Sequence, residues 1–501
     1  MKISTTTIPE FMKTIVCLVI AILVGGSGHN IIAQIVNVPS DFQTIAQAIA
    51  NAQAGDTIML SPGTYNENSM TIDKPLTISS EWILSGDKAK IETTTIDAAG
   101  TILFTVNSDD VEISGLTIVN GDHTLDIHAR VSIKHNLMFN NLDAVSMEGE
   151  GGGYVGYNLF DDNGDEGIDL DINQNGSDII IEYNNIVTSN DDGIEIRLFT
   201  APNQNIHYEI RYNTIEGSNN AAIQIISYDV YTGKEFNIHH NIFKNCKTGL
   251  GCMGGSNTSE DLSGAPLMDE RVYFYNNTIL ENDMGATGGN NIIAINNIVA
   301  GNTIGGFKRF GENSVIANNL FYDNKDNNFI EISNLAEQYD NILTEDPLLD
   351  EITLMPGNGS PAIDAGLDKF ILDGITVIEI TSDLYSGSAP DFGAVESNGE
   401  NTTVSDINIS DNYPIRNYPN PFKLSTTISV NIPQTDYIKI DIYDMMGRNL
   451  YTLEEGFREK GVHTIEWFAE DEYNNQLPGG IYFAQIRTGN IISNTKMLLL
   501  Q

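Results

Sequence analysis

Cysteine is nearly missing, with 3 in 501 residues. Cys17 lies in the amino-terminal segment, so the rest of the chain keeps only Cys246 and Cys252. A disulfide-stapled fold is excluded; one bridge between these two, or two thiols stacked in a core, are both open. Basic residues are scarce as well: Lys and Arg number 25 against 68 Asp and Glu, a formal net charge of −43. So acidic a surface repels phosphates, and no basic stripe offsets it, which excludes nucleic-acid binding. It also repels polyanionic sugars unless a cation bridges them. Acidic loops suit hard divalent cations, though they equally make a well-solvated surface. Long apolar runs are absent apart from Thr14 to Val24, which follows Lys2 and Lys13 and precedes Gly25, Gly26, Ser27 and Gly28. That run is short for a bilayer span. Residues 1–33 read as a secretory signal peptide, cut between Gly28 and Gln34. No transmembrane segment is expected in the mature chain.

What is present is Gly, Asn and short runs of Ile, Val, Thr and Tyr, an all-β composition rich in turns. The length favours two or three folding units. A local pattern recurs: Asn, two or three apolar residues, Asn about five later, then Gly-Ile-x-Ile. Anchored on Asn136, Asn158, Asn185, Asn213, Asn241, Asn277, Asn297 and Asn319, its spacings are 22, 27, 28, 28, 36, 20 and 22. Coils of that length, with one short strand per side, fit a parallel β-helix, and the recurring Asn suits a stacked amide ladder. The extra residues of the long coils fall at 172–178, 198–206, 227–235 and 253–270. Stacking places them on one flank, where solenoids often build a binding face.

Ser40-Asp41-Phe42-Gln43 reads as a capping box. Phe42, Ile45, Ala46 and Ile49 give one apolar helical face, ended by Ala54-Gly55. Such a helix covers the open end of a strand stack. The stretch from Phe42-Gln43-Thr44-Ile45 through Ala54-Gly55-Asp56-Thr57-Ile58 and Pro62-Gly63-Thr64-Tyr65 to Lys74-Pro75-Leu76-Thr77-Ile78 resembles the entry segment of pectin-lyase-like β-helix proteins. That superfamily includes pectate lyases, pectin methylesterases, alginate and chondroitin lyases, and periplasmic NosD. The resemblance implies an all-β chain: a right-handed parallel β-helix with a short N-terminal capping helix over 34–345, and a polysaccharide or cell-surface glycan as partner. Asp346-Pro347-Leu348, Gly359-Ser360-Pro361-Ala362-Ile363-Asp364 and Asp391-Phe392-Gly393 resemble the module that closes such helices, 346–396. A polar linker, 397–411, follows.

The last segment, 412–501, carries Asn417-Tyr418-Pro419-Asn420-Pro421-Phe422, Ile442-Tyr443-Asp444-Met445-Met446-Gly447-Arg448, Gly461-Val462-His463-Thr464-Ile465-Glu466-Trp467, Leu477-Pro478-Gly479-Gly480-Ile481-Tyr482 and Lys496-Met497-Leu498. Strands bounded by Gly and Pro turns read as a small Ig-like β-sandwich. The motif set resembles the type A sorting domain of the type IX secretion system. It implies that machinery as a partner, and export to the outer cell surface or beyond.

Alignment of the coils gives outward columns Ser146, Asp169, Glu195, Gln224 and Glu148, Asp171, Arg197, Ile226. Carboxylates stacked one rung apart want a cation or an arginine among them. By resemblance to the lyases, Asp169, Asp171 and Glu195 would hold Ca²⁺ and Arg197 would act as the base. Asp171-x-Asn173-x-Asn175-Gly176, then Glu182 after five residues, also satisfies the calcium-loop expression. Glu182 falls where other coils place inward residues such as Ile133 and Val155, so it calls for a ligand or a bulge. A third column, Lys134, Gly156, Tyr183, Arg211, His239, Tyr275, suits sugar stacking and carboxylate binding. The lyases' Gly-Glu-x-Glu strand and the Lys that follows it are not matched, since Gly193-Ile194-Glu195-Ile196 offers one acid. The readings are therefore a calcium-dependent uronate lyase or related glycan-active enzyme, a non-catalytic surface adhesin, or a NosD-like metal-delivery protein. The sorting domain argues against the third.

Overall fold

The structure is a computed structural model. It describes residues 33–397 except 174–175, 200–205, 229–231, 256–265, 326, 373 and 383, and residues 415–499 except 419–421, 433–435, 445–448, 459–460, 471–475, 479 and 489–490. Most of the expected signal peptide and of the linker lies outside the described residues. Three long sheets dominate. Sheet A runs through 13 strands from Ile35–Val38 to Glu337–Tyr339. Sheet B runs through 11 from Gly63–Asn66 to Leu320–Tyr322, and sheet C through 11 from Met70–Ile72 to Asn327–Ile330. All pairings within them are parallel, and within each sheet successive neighbours are almost throughout three elements apart in the chain. Each coil thus gives one strand to each sheet, the arrangement of a right-handed parallel β-helix.

Alternation decides what fills the interior. In sheet A, Ile133, Val155, Ile181, Ile210, Ile238 and Phe274 stack inward through successive registers, all 0% exposed. Glu182 is therefore not at an inward place. It pairs with Gly156 on one side and Arg211 on the other, in the outward column. The same shift moves the amide ladder. Asn158 donates its N and Nδ2 to Oδ1 of Asn184, at 3.1 and 3.0 Å, and Asn184 donates likewise to Asn213. The rung is Asn184, not Asn185, which starts the sheet B strand Asn185–Ser189 and is exposed. A second ladder was not read from the sequence. It joins Asn141 to Asn163, and Cys246 to Asn282, Asn302 and Asn324. Cys246 and Cys252 are free and buried, so they stack in the core and form no bridge.

The residue before each ladder Asn turns the corner from sheet A in the left-handed region. His135, Tyr157, Tyr183, Tyr212 and His240 have φ of 57, 59, 55, 55 and 54°. That backbone costs a non-glycine residue ~1–2 kcal/mol. Ring stacking offsets it: His135–Tyr157, Tyr157–Tyr183, Tyr183–Tyr212 and Tyr212–His240 centroids all lie 4.9 Å apart, and Trp82 starts the file at 4.5 Å. In later coils Asn276, Asn296 and Asn318 take over, and their Nδ2 groups donate to the carbonyls of Asp391, Leu367 and Ala365. The segment 346–396 thus packs along the sides of the last coils. It buries Ile378 against Ile293 and Ile295, and Phe392 against Ile298 and Leu320.

At the other end the helix is Ile45–Asn51, and its cap is Thr44, whose hydroxyl accepts from Gln47 N at 3.1 Å. The box expected at Ser40 lies one turn too early. Asp41 N and Phe42 N instead close a turn on the Asn37 carbonyl. Glu67 supplies the missing acid, accepting from Ile45 N and Ala46 N at 2.9 and 3.0 Å. The C-terminal segment forms a 3-stranded and a 4-stranded antiparallel sheet around Ile428, Val430, Ile440, Trp467, Ile486 and Met497, the expected small sandwich.

Candidate functional site

Sheet C carries the acidic face. Registers join Ser146 to Asp169, Asp169 to Glu195 and Glu195 to Gln224, as the column alignment expected. Although outward, Ser146, Asp169, Glu195 and Gln224 are all buried. Arg197 reaches back across them. Its Nη1 donates to Asp169 Oδ1 and Oδ2 at 3.2 and 3.3 Å and to Asp171 Oδ2 at 3.3 Å, and its Nη2 donates to Glu195 Oε2 at 2.7 Å. Arg197 also donates to the hydroxyl of Tyr228, whose ring stacks on Phe199 at 5.3 Å. The expected base is thus hydrogen-bonded to three acids. They hold its pKa above the ordinary arginine value, against the pull of burial.

One cation does not match so many acids. Glu166, Asp192 and Glu195 each bring a carboxylate oxygen within 4.8 Å of the others, and Asp143, Asp165 and Glu166 do the same. His123 Nδ1 lies 2.6 Å from Asp143 Oδ2. Burial and then a hydrogen bond to Glu195 push the Glu166 carboxyl far up, so Glu166 keeps the proton and Glu195 accepts. Burial, and next the charge of Asp171, raises Asp169 to about 8 despite Arg197. Several buried polar atoms have no partner: Ser146 Oγ, Asp171 Oδ1 and Gln224 Nε2. The sequence reading missed Asp143, Asp165, Glu166 and Asp192. Its signal was available in Glu166-Gly167-Ile168 and Asp192-Gly193-Ile194, an acid before each sheet C strand.

Sheet A carries a second polar face with opposite bookkeeping. Lys134 pairs with Glu112 at 2.9 Å, and Arg211 Nε with Glu182 Oε2 at 2.8 Å. Tyr154 donates to the other oxygen of Glu182 at 3.0 Å. His239 Nε2 lies 2.6 Å from Glu209 Oε1 and its ring stacks on Tyr275 at 4.6 Å. The expected column therefore exists as Lys134, Gly156, Glu182, Arg211, His239, Tyr275. Tyr183 stands outside it, in the corner ring stack.

The calcium-loop pattern is taken apart. Asp171 ends a sheet C strand and is bound by Arg197, whereas Glu182 ends a sheet A strand and is bound by Arg211. Gly176 is demanded by packing, since a Cβ there would lie 2.8 Å from the Gly151 carbonyl. Asn173 is exposed, and Asn175 lies outside the described residues. All the long-coil insertions connect sheet C to sheet A at one corner, as expected.

The chain is a secreted right-handed parallel β-helix protein with a C-terminal sorting domain. Residues 416–501 match the secretion system C-terminal sorting domain, which marks the chain for type IX export to the cell surface or extracellular space. Residues 35–249 match a family described as "Protein of unknown function (DUF1565)". No curated protein matches the chain. Among solved structures, the A-module of Azotobacter vinelandii mannuronan C-5 epimerase AlgE6 is similar at 13% identity, covering 60% of this chain and 93% of its own, with TM-score 0.41. The PL6 family alginate lyase AlyGC is similar at 14%, covering 64% and 55%, with TM-score 0.35. XylC in complex with xylose is similar at 10%, covering 93% and 99%, with TM-score 0.40. At these distances none assigns chemistry, and the fold rests on the strand registers. Among the described residues no helix is long and apolar enough to cross a membrane.

Proposed function

We propose that the protein binds and cleaves a polysaccharide outside the cell at the acidic face of sheet C. The observation that carries this reading is Asp169, a buried carboxyl held protonated to about pH 8, beside Glu195, whose carboxyl burial raises while hydrogen bonds from Glu166 and Arg197 pull it back down. Two acids in opposite protonation states are what acid–base cleavage of a sugar linkage requires. In this reading Asp169 donates the proton to the leaving oxygen, and Glu195, as the carboxylate, takes a proton from the water that attacks the anomeric carbon, so the bond to water forms as the glycosidic bond breaks. Arg197 fixes both instead of acting as base, because a guanidinium paired to three acids does not give up its proton. Lys134, Arg211, His239 and Tyr275 belong to a matched structural face and take no part.

The convergence of Glu166, Asp192 and Glu195 favours a second reading. Hard oxygens so disposed suit Ca²⁺, which would displace the proton of Glu166 and make the face a cation-bridged uronate site. One experiment separates the readings. The secreted protein is incubated with neutral and uronate polysaccharides, in calcium or in chelator, and both reducing ends and the ultraviolet absorbance of unsaturated uronate are followed. Reducing ends without absorbance, indifferent to chelator, support proton-donor hydrolysis. Calcium-dependent absorbance supports elimination. Neither signal on any polymer sinks both, and leaves a non-catalytic adhesin.

A further inference from the structure

A hollow of about 570 Å³ opens at the corner between sheets C and A. Four successive coils line it, through Ser108 and Asp109, through His128 and Arg130, through Glu150, and through Ser177. Rungs are ~4.8 Å apart, so it runs ~14 Å along the stack axis. It adjoins the acidic row directly, because His128 Nε2 bonds Asp126 Oδ1 at 2.8 Å, and Asp126 is the register partner of Ser146, next to Asp169. Its lining contains no Phe, Tyr or Trp ring, and its one imidazole, His128, is hydrogen-bonded to Asp126, so an occupant is held chiefly by hydrogen bonds. Ser177 Oγ, in that lining, is buried and has no partner.

The charges say which polymer fits. Arg130 donates from its guanidinium to Asp110 at 2.9 Å and from its backbone N to Asp109 at 2.9 Å. His128 is matched to Asp126, His123 to Asp143, and Arg197 to Asp171 and Glu195 besides Asp169. Each of these basic groups already faces acid, while Glu150 adds a further negative charge at the rim. A polyuronate laid here would meet excess negative potential, whereas hydroxyls find alternating donors and acceptors. We infer that this trough holds the units of an uncharged, linear polysaccharide that flank the unit seated at Asp169, with the chain running along the helix axis. The inference rests on the glycan reading of the acidic face and adds the direction of the chain and its lack of charge.

The test is calorimetric binding of xylo-, manno- and cello-oligosaccharides of increasing length, and of oligouronates, to the full chain in chelator. Affinity for one neutral series is expected to rise with length. Ser108→Trp, which fills the trough, should cost the longer members about tenfold, or ~1.4 kcal/mol, and spare the shortest. Glu150→Lys, at an exposed rim position, should shift the preference of the trough from the neutral series towards uronates. Uronates binding more tightly than every neutral series in chelator overturns the charge argument. A length dependence untouched by Ser108→Trp, in a variant with native circular dichroism, overturns the trough. No binding by any series overturns the inference as well. Binding that follows these expectations without turnover leaves the trough standing and removes only the catalytic role of Asp169.

Discussion

The outward faces of sheets A and C are built by the same coils and differ in how their charges are matched. On sheet A, Lys134 meets Glu112, Arg211 meets Glu182, and Glu209 meets His239 and His207. On sheet C one arginine serves Asp169, Asp171 and Glu195, while Glu166, Asp192 and Asp143 crowd beside them and buried polar atoms go unpaired. Burying charge without a partner is costly, so a fold that only needed a polar surface would resemble sheet A throughout. In the proposed reading the surplus on sheet C serves a ligand, and the matched face of sheet A is its internal control.

The comparison breaks most easily at Asp169. Asp169→Asn keeps the shape and removes the proton to be donated. Turnover of the substrate polysaccharide should fall on the order of 10²- to 10⁴-fold, with binding nearly kept. An unchanged rate would show the sheet C face to be as structural as sheet A. Next in size is Arg197→Ala, which leaves Asp171 and Glu195 without their cation and Asp169 without its donor. It should cost roughly 3–5 kcal/mol in urea unfolding at neutral pH. Recovery of most of that loss in acid would tie it to the stranded carboxylates.

The pH profile sharpens the contrast at smaller amplitude. Asp169 holds its proton to about 8 in the folded protein, against an ordinary value of 3.8. A raised carboxyl inverts the usual sign. Between 3.8 and about 8 the folded state binds a proton that the unfolded chain has released, so this group's contribution to stability falls as pH rises through that window. The rate should likewise drop above about pH 8, as the donor is lost. In Asp169→Asn the rate limb should disappear, and the stability slope should shrink by this group's share while Glu166, also held protonated, keeps its own, measured by initial rates and by thermal unfolding. A rate limb that survives in the variant would move the donor to another group.

The repeat, the coil architecture and the column of Asp169 and Glu195 were legible in the sequence because side-chain period and coil period are both local. The errors trace to one ambiguity. Asn184 and Asn185 are adjacent, and anchoring the ladder on the second slid that coil by one residue. In a strand, one residue is a change of face. The slip turned Glu182 inward, set Tyr183 among the sheet A residues, and made the calcium-loop expression look like a site. Glu166 and Asp192 were missed for a different reason, although each is an acid that precedes a sheet C strand in the sequence. They sit in corners, outside the alternation from which columns are read, and only the fold brings them to Glu195. The helix cap shows the same limit, since its acid, Glu67, comes from the next coil.

The smallest expected effect lies on the control face. Arg211 binds Glu182 and lies 3.5 Å from Glu209, and its side chain is about a third exposed. Water can therefore reach Glu182 and Glu209 once the arginine is gone, and Tyr154, His207 and His239 still bond those acids. Arg211→Ala should accordingly cost only ~1 kcal/mol in urea unfolding, and turnover and glycan affinity should not move. A stability loss as large as that of Arg197→Ala would mean that matched and unmatched faces are equally strained. A loss of turnover would carry the functional surface around the corner onto sheet A, since a face whose charges are already satisfied has no reason to answer to substrate.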